Sequence, residues 1–183
     1  MYKITLRKEL NPTVTMMEIE APLVAKKAEP GQFIILRVNE DGERIPLTIA
    51  GYDREKGTVR IIFQIVGATT TLLNAKKEGE YIQDFVGPLG VATHIEGLKR
   101  VCIVPLNEMF ANGEKFDEVI TIGPLIMMKF VVAAVKPTGI PCTVSMNPIM
   151  IDGTGMCGGC RLTLHRDGER ITKFACVDGP DFN

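Results

Sequence analysis

The stretch Asp152-Gly-Thr-Gly-Met-Cys157-Gly-Gly-Cys160, with Cys176 farther on, constrains this chain more than any other feature. Cys157 and Cys160 form a C-x2-C pair, and fifteen residues separate Cys160 from Cys176. The glycines at 153, 155, 158 and 159 let the backbone wrap tightly round a compact centre. Thiolates on such a loop select an iron–sulfur cluster or zinc. A [2Fe–2S] cluster usually takes four cysteines spaced C-x4-C-x2-C…C. Here the position five residues before Cys157 is Asp152, whose carboxylate can donate an oxygen. The reading is Asp152, Cys157, Cys160 and Cys176 round one [2Fe–2S] cluster. Zinc on the three cysteines with Asp152 or His165 stays open at this point, as does a thioredoxin-type dithiol. Three unliganded cysteines among so many glycines are a poorer account.

The chain has five cysteines, an odd number, and clustering near the C-terminus argues for metal or redox chemistry in a reducing compartment rather than a disulfide framework. Cys102 and Cys142 lie in apolar runs and read as buried small hydrophobes. The opening MYKITLRKEL alternates apolar and charged residues and has no signal-peptide core, so a cytoplasmic protein is expected. The greasiest stretch, Val119 to Val135, is 17 residues, short for a membrane span. With 45% apolar and 23% charged residues the chain is no disordered tail. Its net charge of −1 excludes nucleic-acid binding by a basic surplus.

The first ninety residues read as strands. Tyr2, Ile4 and Leu6 alternate with charged or polar residues. Further runs cover Thr13 to Ala21, which stops at Pro22, then Gln32 to Val38, Arg44 to Tyr52, and Val59 to Ile65, with a last one from Tyr81 toward Gly87-Pro88. A short helix is predicted from about Thr69 to Lys77. Six short antiparallel strands with one small helix suggest a closed Greek-key barrel. Near Gly97 the pattern turns to α/β. Lys99 to Val104, Val119 to Ile122 and Cys142 to Met146 read as buried parallel strands, with helices ending near Ala111 and spanning Leu125 to Val135. The 52 residues from Lys99 to Met150 are too few for a full dinucleotide-binding domain, and the chain has no G-x-G-x-x-G.

Two weaker signals sit on the barrel. Arg44-Ile45-Pro46-Leu47-Thr48 offers an arginine for a pyrophosphate and a hydroxyl for a ring nitrogen. Val66-Gly-Ala-Thr69-Thr70 leads into a helix N-terminus, a natural phosphate site. A solvated hairpin charge and a simple helix cap account for the same residues. His94 and His165 read as solvated, and nothing pairs them with a nucleophile.

The motifs RIPLTIAGY, FQIVGATTTL, FVGPLG, KRVCIV, FDEVITIGPLIMMKFV, DGTGMCGGC and FACVDGPDF, in that order, resemble the electron-transfer subunits of the dihydroorotate dehydrogenase/sulfide dehydrogenase type, in the ferredoxin-reductase superfamily. The resemblance covers nearly the whole chain, and Asp152 favours the branch without a cysteine there. It implies a β plus α/β fold in three parts: a six-stranded FAD-binding barrel over 1–97, a truncated nucleotide domain over 98–150 and a [2Fe–2S] segment over 151–183. It places FAD against Arg44, Ile45, Pro46, Leu47 and Thr48, against Ile62, Phe63 and Gln64, and against Thr69 and Thr70, although the family often has glycine at 69. Gly123 and Pro124 match the turn facing the nicotinamide. The implied function is to pass electrons between a nicotinamide, FAD and the cluster to a larger partner flavoprotein subunit, and indirectly to ferredoxin. Neither nucleic acid nor a membrane is an expected partner. A dihydroorotate dehydrogenase subunit, and a metal-stapled binding module without a nucleotide domain, are the other readings. The family carries a long stretch between the positions of Val104 and Leu106, including the Gly-rich nucleotide turn, and continues past that of Asn183. NAD(H) therefore lacks a complete site in these residues.

Overall fold

The computed structural model describes residues 1–93, 97, 101–102, 115–166 and 168–183. Seven strands form the first sheet: β1 (Tyr2–Asn11), β2 (Val14–Glu20), β3 (Phe33–Arg37), β4 (Arg44–Asp53), β5 (Thr58–Gln64), β6 (Tyr81–Ile82) and β7 (Asp84–Leu89). Their order is β6-β1-β2-β5-β4-β3-β7, and the mapped pairings are antiparallel. The two edge strands, β6 and β7, are joined by Gln83 alone, which brings the edges together into a near-closed barrel.

The barrel follows from alternation. On β5, Val59, Ile61 and Phe63 are buried while Arg60, Ile62 and Gln64 are exposed. They meet Ile4, Met17, Ile19, Ile34, Leu36 and Phe85 in one apolar core. Burial of this kind contributes roughly 25 cal/mol per Å² of apolar surface.

Two sequence expectations need correction here. The barrel has seven strands rather than six, because the run from Tyr81 breaks at Gln83. There the chain leaves β1 and turns to β3, with the Gln83 N–H donating to Arg37 O at 3.1 Å. Pro22 does not merely stop a strand but opens a helix, α1 (Pro22–Lys27), which buries Val24 and Ala25. Proline is favoured in a first helical turn, where its missing N–H costs nothing. The other barrel helix, α2 (Ala68–Ala75), is close to the expected span.

The second sheet has the order β13-β10-β9-β8, with β13 (Asp181–Phe182) at one edge. Strands β8 (Val101–Cys102), β9 (Glu118–Ile122) and β10 (Cys142–Ser145) are parallel, and helix α3 (Leu125–Val135) connects β9 to β10. Val119, Ile120 and Thr121 are buried in succession, as in a strand covered on both faces. Cys142 is half-buried rather than fully so, packing at the edge of Phe116, Val119 and Val135. Burial, then the Glu118 carboxylate, push its thiol pKa up. The Cys102 side chain, His94 and the expected helix near Ala111 lie outside the described residues.

The C-terminal segment adds a hairpin, β11 (Arg161–Arg166) with β12 (Glu169–Phe174), a one-turn helix α4 (Ala175–Asp178), and β13 (Asp181–Phe182). Strand β13 pairs with Val144 and Ser145 of β10, so this segment closes the edge of the α/β sheet. No helix among the described residues is long and apolar enough to cross a membrane.

Candidate functional site

The cysteine loop packs on the outside of the barrel. Strand β3 is buried on both faces: Ile34 and Leu36 point into the barrel core, while Phe33 and Ile35 join Met150, Cys160, Ala175 and Cys176 in a second apolar cluster. Glycine makes the close approach possible. Gly153 has φ +76°, and a Cβ there would meet Leu89 Cδ1 at 2.7 Å and Ile35 Cδ1 at 3.2 Å.

Within the loop two of the candidate donors form a sulfur pair, and Asp152 is tied to the Cys157 backbone. The Cys160 and Cys176 sulfurs lie 3.1 Å apart, both buried. The Asp152 carboxylate accepts the Cys157 N–H at 2.7 Å and the Thr154 N–H at 2.8 Å, while Cys157 is exposed. Backbone amides also reach sulfur: Gly159 N–H donates to Cys157 Sγ and Cys176 N–H to Cys160 Sγ, each at 3.4 Å. Burial, then the Cys160 thiol beside it, push the Cys176 thiol pKa up to about 11; the Gly155 N–H opposes this and Asp152 adds to it. The amides of Thr154 and Cys157 hold the Asp152 carboxyl below its usual range. Asp178 fixes the turn that carries Cys176, accepting from Lys173 Nζ and Phe174 N–H, each at 2.8 Å.

Among the described residues no three His, Cys, Asp or Glu side chains converge as they would on a single ion. A structural zinc needs four donors on one tetrahedral ion. A [2Fe–2S] cluster divides four ligands between two irons. The Cys160 and Cys176 sulfurs stand side by side, as two ligands of one iron in such a cluster do.

A cavity of ≈ 260 Å³ lies between the barrel and the α/β sheet. Pro46, Leu47 and Thr48 of β4 line one side, and Ile120 and Ile122 of β9 the other. Its walls are largely apolar, with Thr48, Thr93, Ser145, Asn147 and Asp181 as polar groups. An apolar wall with a few polar groups is the chemistry of a small-molecule site. Ile122, at the end of β9, directly precedes Gly123-Pro124.

The remaining barrel residues separate. Arg44 approaches Asp84 Oδ2 at 3.6 Å, beside the shorter Arg37–Asp84 pair at 2.8 Å. Thr69 Oγ1 donates to Glu43 Oε2 at 3.5 Å, which brings the start of α2 beside Arg44. Thr70 Oγ1 accepts the Val66 and Gly67 N–H groups at 3.0 Å each, capping α2. Ile62 and Gln64 face solvent on β5. Ile45, Leu47 and Phe63 turn toward the barrel core, so their side chains serve packing, Leu47 also reaching the cavity. Phe33 and Met150, absent from the sequence reading, line the cavity too. The signal for Phe33 was the unbroken apolar run 33–36, where a half-buried strand would alternate.

A family model for the iron–sulfur cluster binding domain of dihydroorotate dehydrogenase B matches residues 147–183. A dihydroorotate dehydrogenase B (NAD(+)) electron transfer subunit homolog from Thermotoga maritima is 36% identical, over 90% of this chain and 79% of the relative. The chain belongs to this family of electron-transfer subunits. It is an oxidoreductase subunit of the ferredoxin-reductase fold, with an iron–sulfur cluster binding segment at its C-terminal end. An uncharacterized protein in the adh 3′ region of Clostridium beijerinckii is 42% identical, over the whole of this chain and 85% of that protein. That comparison runs over 256 positions against the 183 residues here, so at least 73 positions have no counterpart in this chain. A chain of the NADH-dependent reduced ferredoxin-NADP oxidoreductase, described in a study of flavin-based electron bifurcation, superposes with a TM-score of 0.85 and 33% identity. The match covers this whole chain and 87% of that one.

Proposed function

We propose that this subunit receives electrons at the cavity between β4 and β9 and delivers them through the cysteine loop to a larger flavoprotein subunit, in the manner of a ferredoxin-NADP oxidoreductase. The observation that carries the reading is the seating of the Cys160–Cys176 pair on β3, the strand next to the one that presents Pro46–Thr48 to the cavity. FAD exchanges electron pairs and the cluster single electrons, which is the chemistry these groups supply when bound.

The chain's own residues do the rest. Pro46 and Thr48 hold the flavin ring, while Arg44 with the start of α2 takes the pyrophosphate by charge-assisted hydrogen bonds. Ile62 and Gln64 flank this face, and Thr70 shapes the turn before α2. Asp152 and Cys157 ligate one iron, Cys160 and Cys176 the other. The amides donating to Cys157 and Cys160 stabilise negative charge on sulfur. Gly123 and Pro124 border the nicotinamide side, and NAD(H) needs further residues of the kind the longer relatives carry. The three-part division at 1–97, 98–150 and 151–183 follows these tasks, and a reducing, cytoplasmic location suits a chain with clustered ligand cysteines.

The visible spectrum of anaerobically purified protein tests the reading. Flavin bands together with a ferredoxin-like absorption, both bleaching on reduction, are expected. A colourless protein would contradict it.

A further inference from the structure

Phe33 and Met150 belong to two environments at once. Each is 4% exposed. Each lines the cavity with Pro46 and Thr48, and each packs in the cluster that contains Cys160 and Cys176. Ile35 shares only the second environment and Pro46 only the first. The Phe33 ring packs close to Gly90, where an added Cβ would stand 2.9 Å from its Cε1. Met150, with a flexible thioether, fills the irregular space beside it.

We propose that Phe33 and Met150 are positioning residues: together they form the dry partition between the occupant of the cavity and the Cys160–Cys176 edge of the cluster. The inference rests on the function proposed above and assigns the contact between its two redox groups to named side chains. The physical ground is solvent. The apolar shell of an iron–sulfur centre controls water access, and exposure is one of the factors that set its potential. Reduction adds negative charge, which water stabilises, so a partition that leaks raises the cluster potential. The same leak reaches the flavin, because the partition is also the cavity wall. A residue that merely fills core space would change stability and leave the cluster midpoint and flavin affinity where they were.

The test uses the full chain loaded with FAD and cluster, read by dye-mediated spectroelectrochemistry and flavin fluorescence titration. Met150→Ala is expected to raise the cluster midpoint and weaken flavin binding together. Met150→Leu, which conserves volume, is expected to restore both. Met128→Ala, equally buried on α3 but lining neither environment, is expected to lower stability without moving either value. Should Met150→Ala fail to retain iron, Phe33→Leu carries the same two readings. An unmoved cluster midpoint in a fully loaded Met150→Ala or Phe33→Leu protein overturns the partition while leaving the proposed function standing. A wild-type protein without either chromophore overturns both.

Discussion

Asp152 Oδ2 accepts the backbone N–H of Cys157 at 2.7 Å, so the carboxylate and the first cysteine of the motif are held as one unit. The amides of Thr154 and Cys157 occupy only part of the carboxylate's acceptor capacity, which leaves lone pairs for an iron. Asp152→Ala removes the proposed ligand and both loop bonds together. Its cluster is expected to be held ~10–100-fold more weakly, at the least the cost seen for outer-shell partners. Asp152→Cys is expected to keep the cluster with a shifted midpoint. Potentiometry of that variant decides the point, since an unshifted midpoint speaks against ligation.

Gly153 is the place where the loop backbone touches the barrel. Alanine there combines a positive φ with a methyl group 2.7 Å from Leu89 Cδ1. Strain of this kind costs about 1–3 kcal/mol. Gly153→Ala is expected to lower the thermal midpoint by several degrees and to lose iron on gel filtration. A variant with wild-type iron content would show that the loop does not bear on β3.

Successive residues on β3 serve different bodies. Leu36 is fully buried inside the barrel, and Ile35 lies beneath the cysteine loop. Truncating either to alanine costs roughly 2–5 kcal/mol. Leu36→Ala is expected to weaken the barrel, seen as faster amide exchange in β2 and β5. Ile35→Ala is expected to speed exchange at Cys160 and Cys176 while barrel protection persists. Equal loss in both regions from both variants would contradict this two-sided reading.

Arg44 is a pyrophosphate ligand in this account. A hydrogen bond to a charged group contributes about 1.5–3 kcal/mol, so Arg44→Ala is expected to weaken FAD binding by roughly one to two orders of magnitude. Riboflavin, which has no phosphate, should bind wild type and variant alike. Fluorescence titration with both ligands separates a phosphate contact from general damage.

Much of this was legible from local chemistry. Gly123-Pro124 marks the start of α3, and its helix ends at Val135 as the apolar run does. On β5 the alternation of Val59, Ile61 and Phe63 names the core face. What escaped depends on contacts distant in sequence. Pro22 looks the same whether it ends a strand or begins a helix, and Ala25 packing into the barrel core decides between them. The motif spacing offers Asp152 as a donor but cannot show that it also bonds the Cys157 amide. Phe33 joins residues more than a hundred positions away, so its second role emerges only when the loop closes over β3.

Iron, acid-labile sulfide, zinc and flavin assays on the anaerobically purified chain test the central claim most directly. The expected result is about two irons, two sulfides and one FAD per chain, the content of a single [2Fe–2S] cluster beside one flavin. About one zinc per chain, with neither sulfide nor flavin, would contradict it.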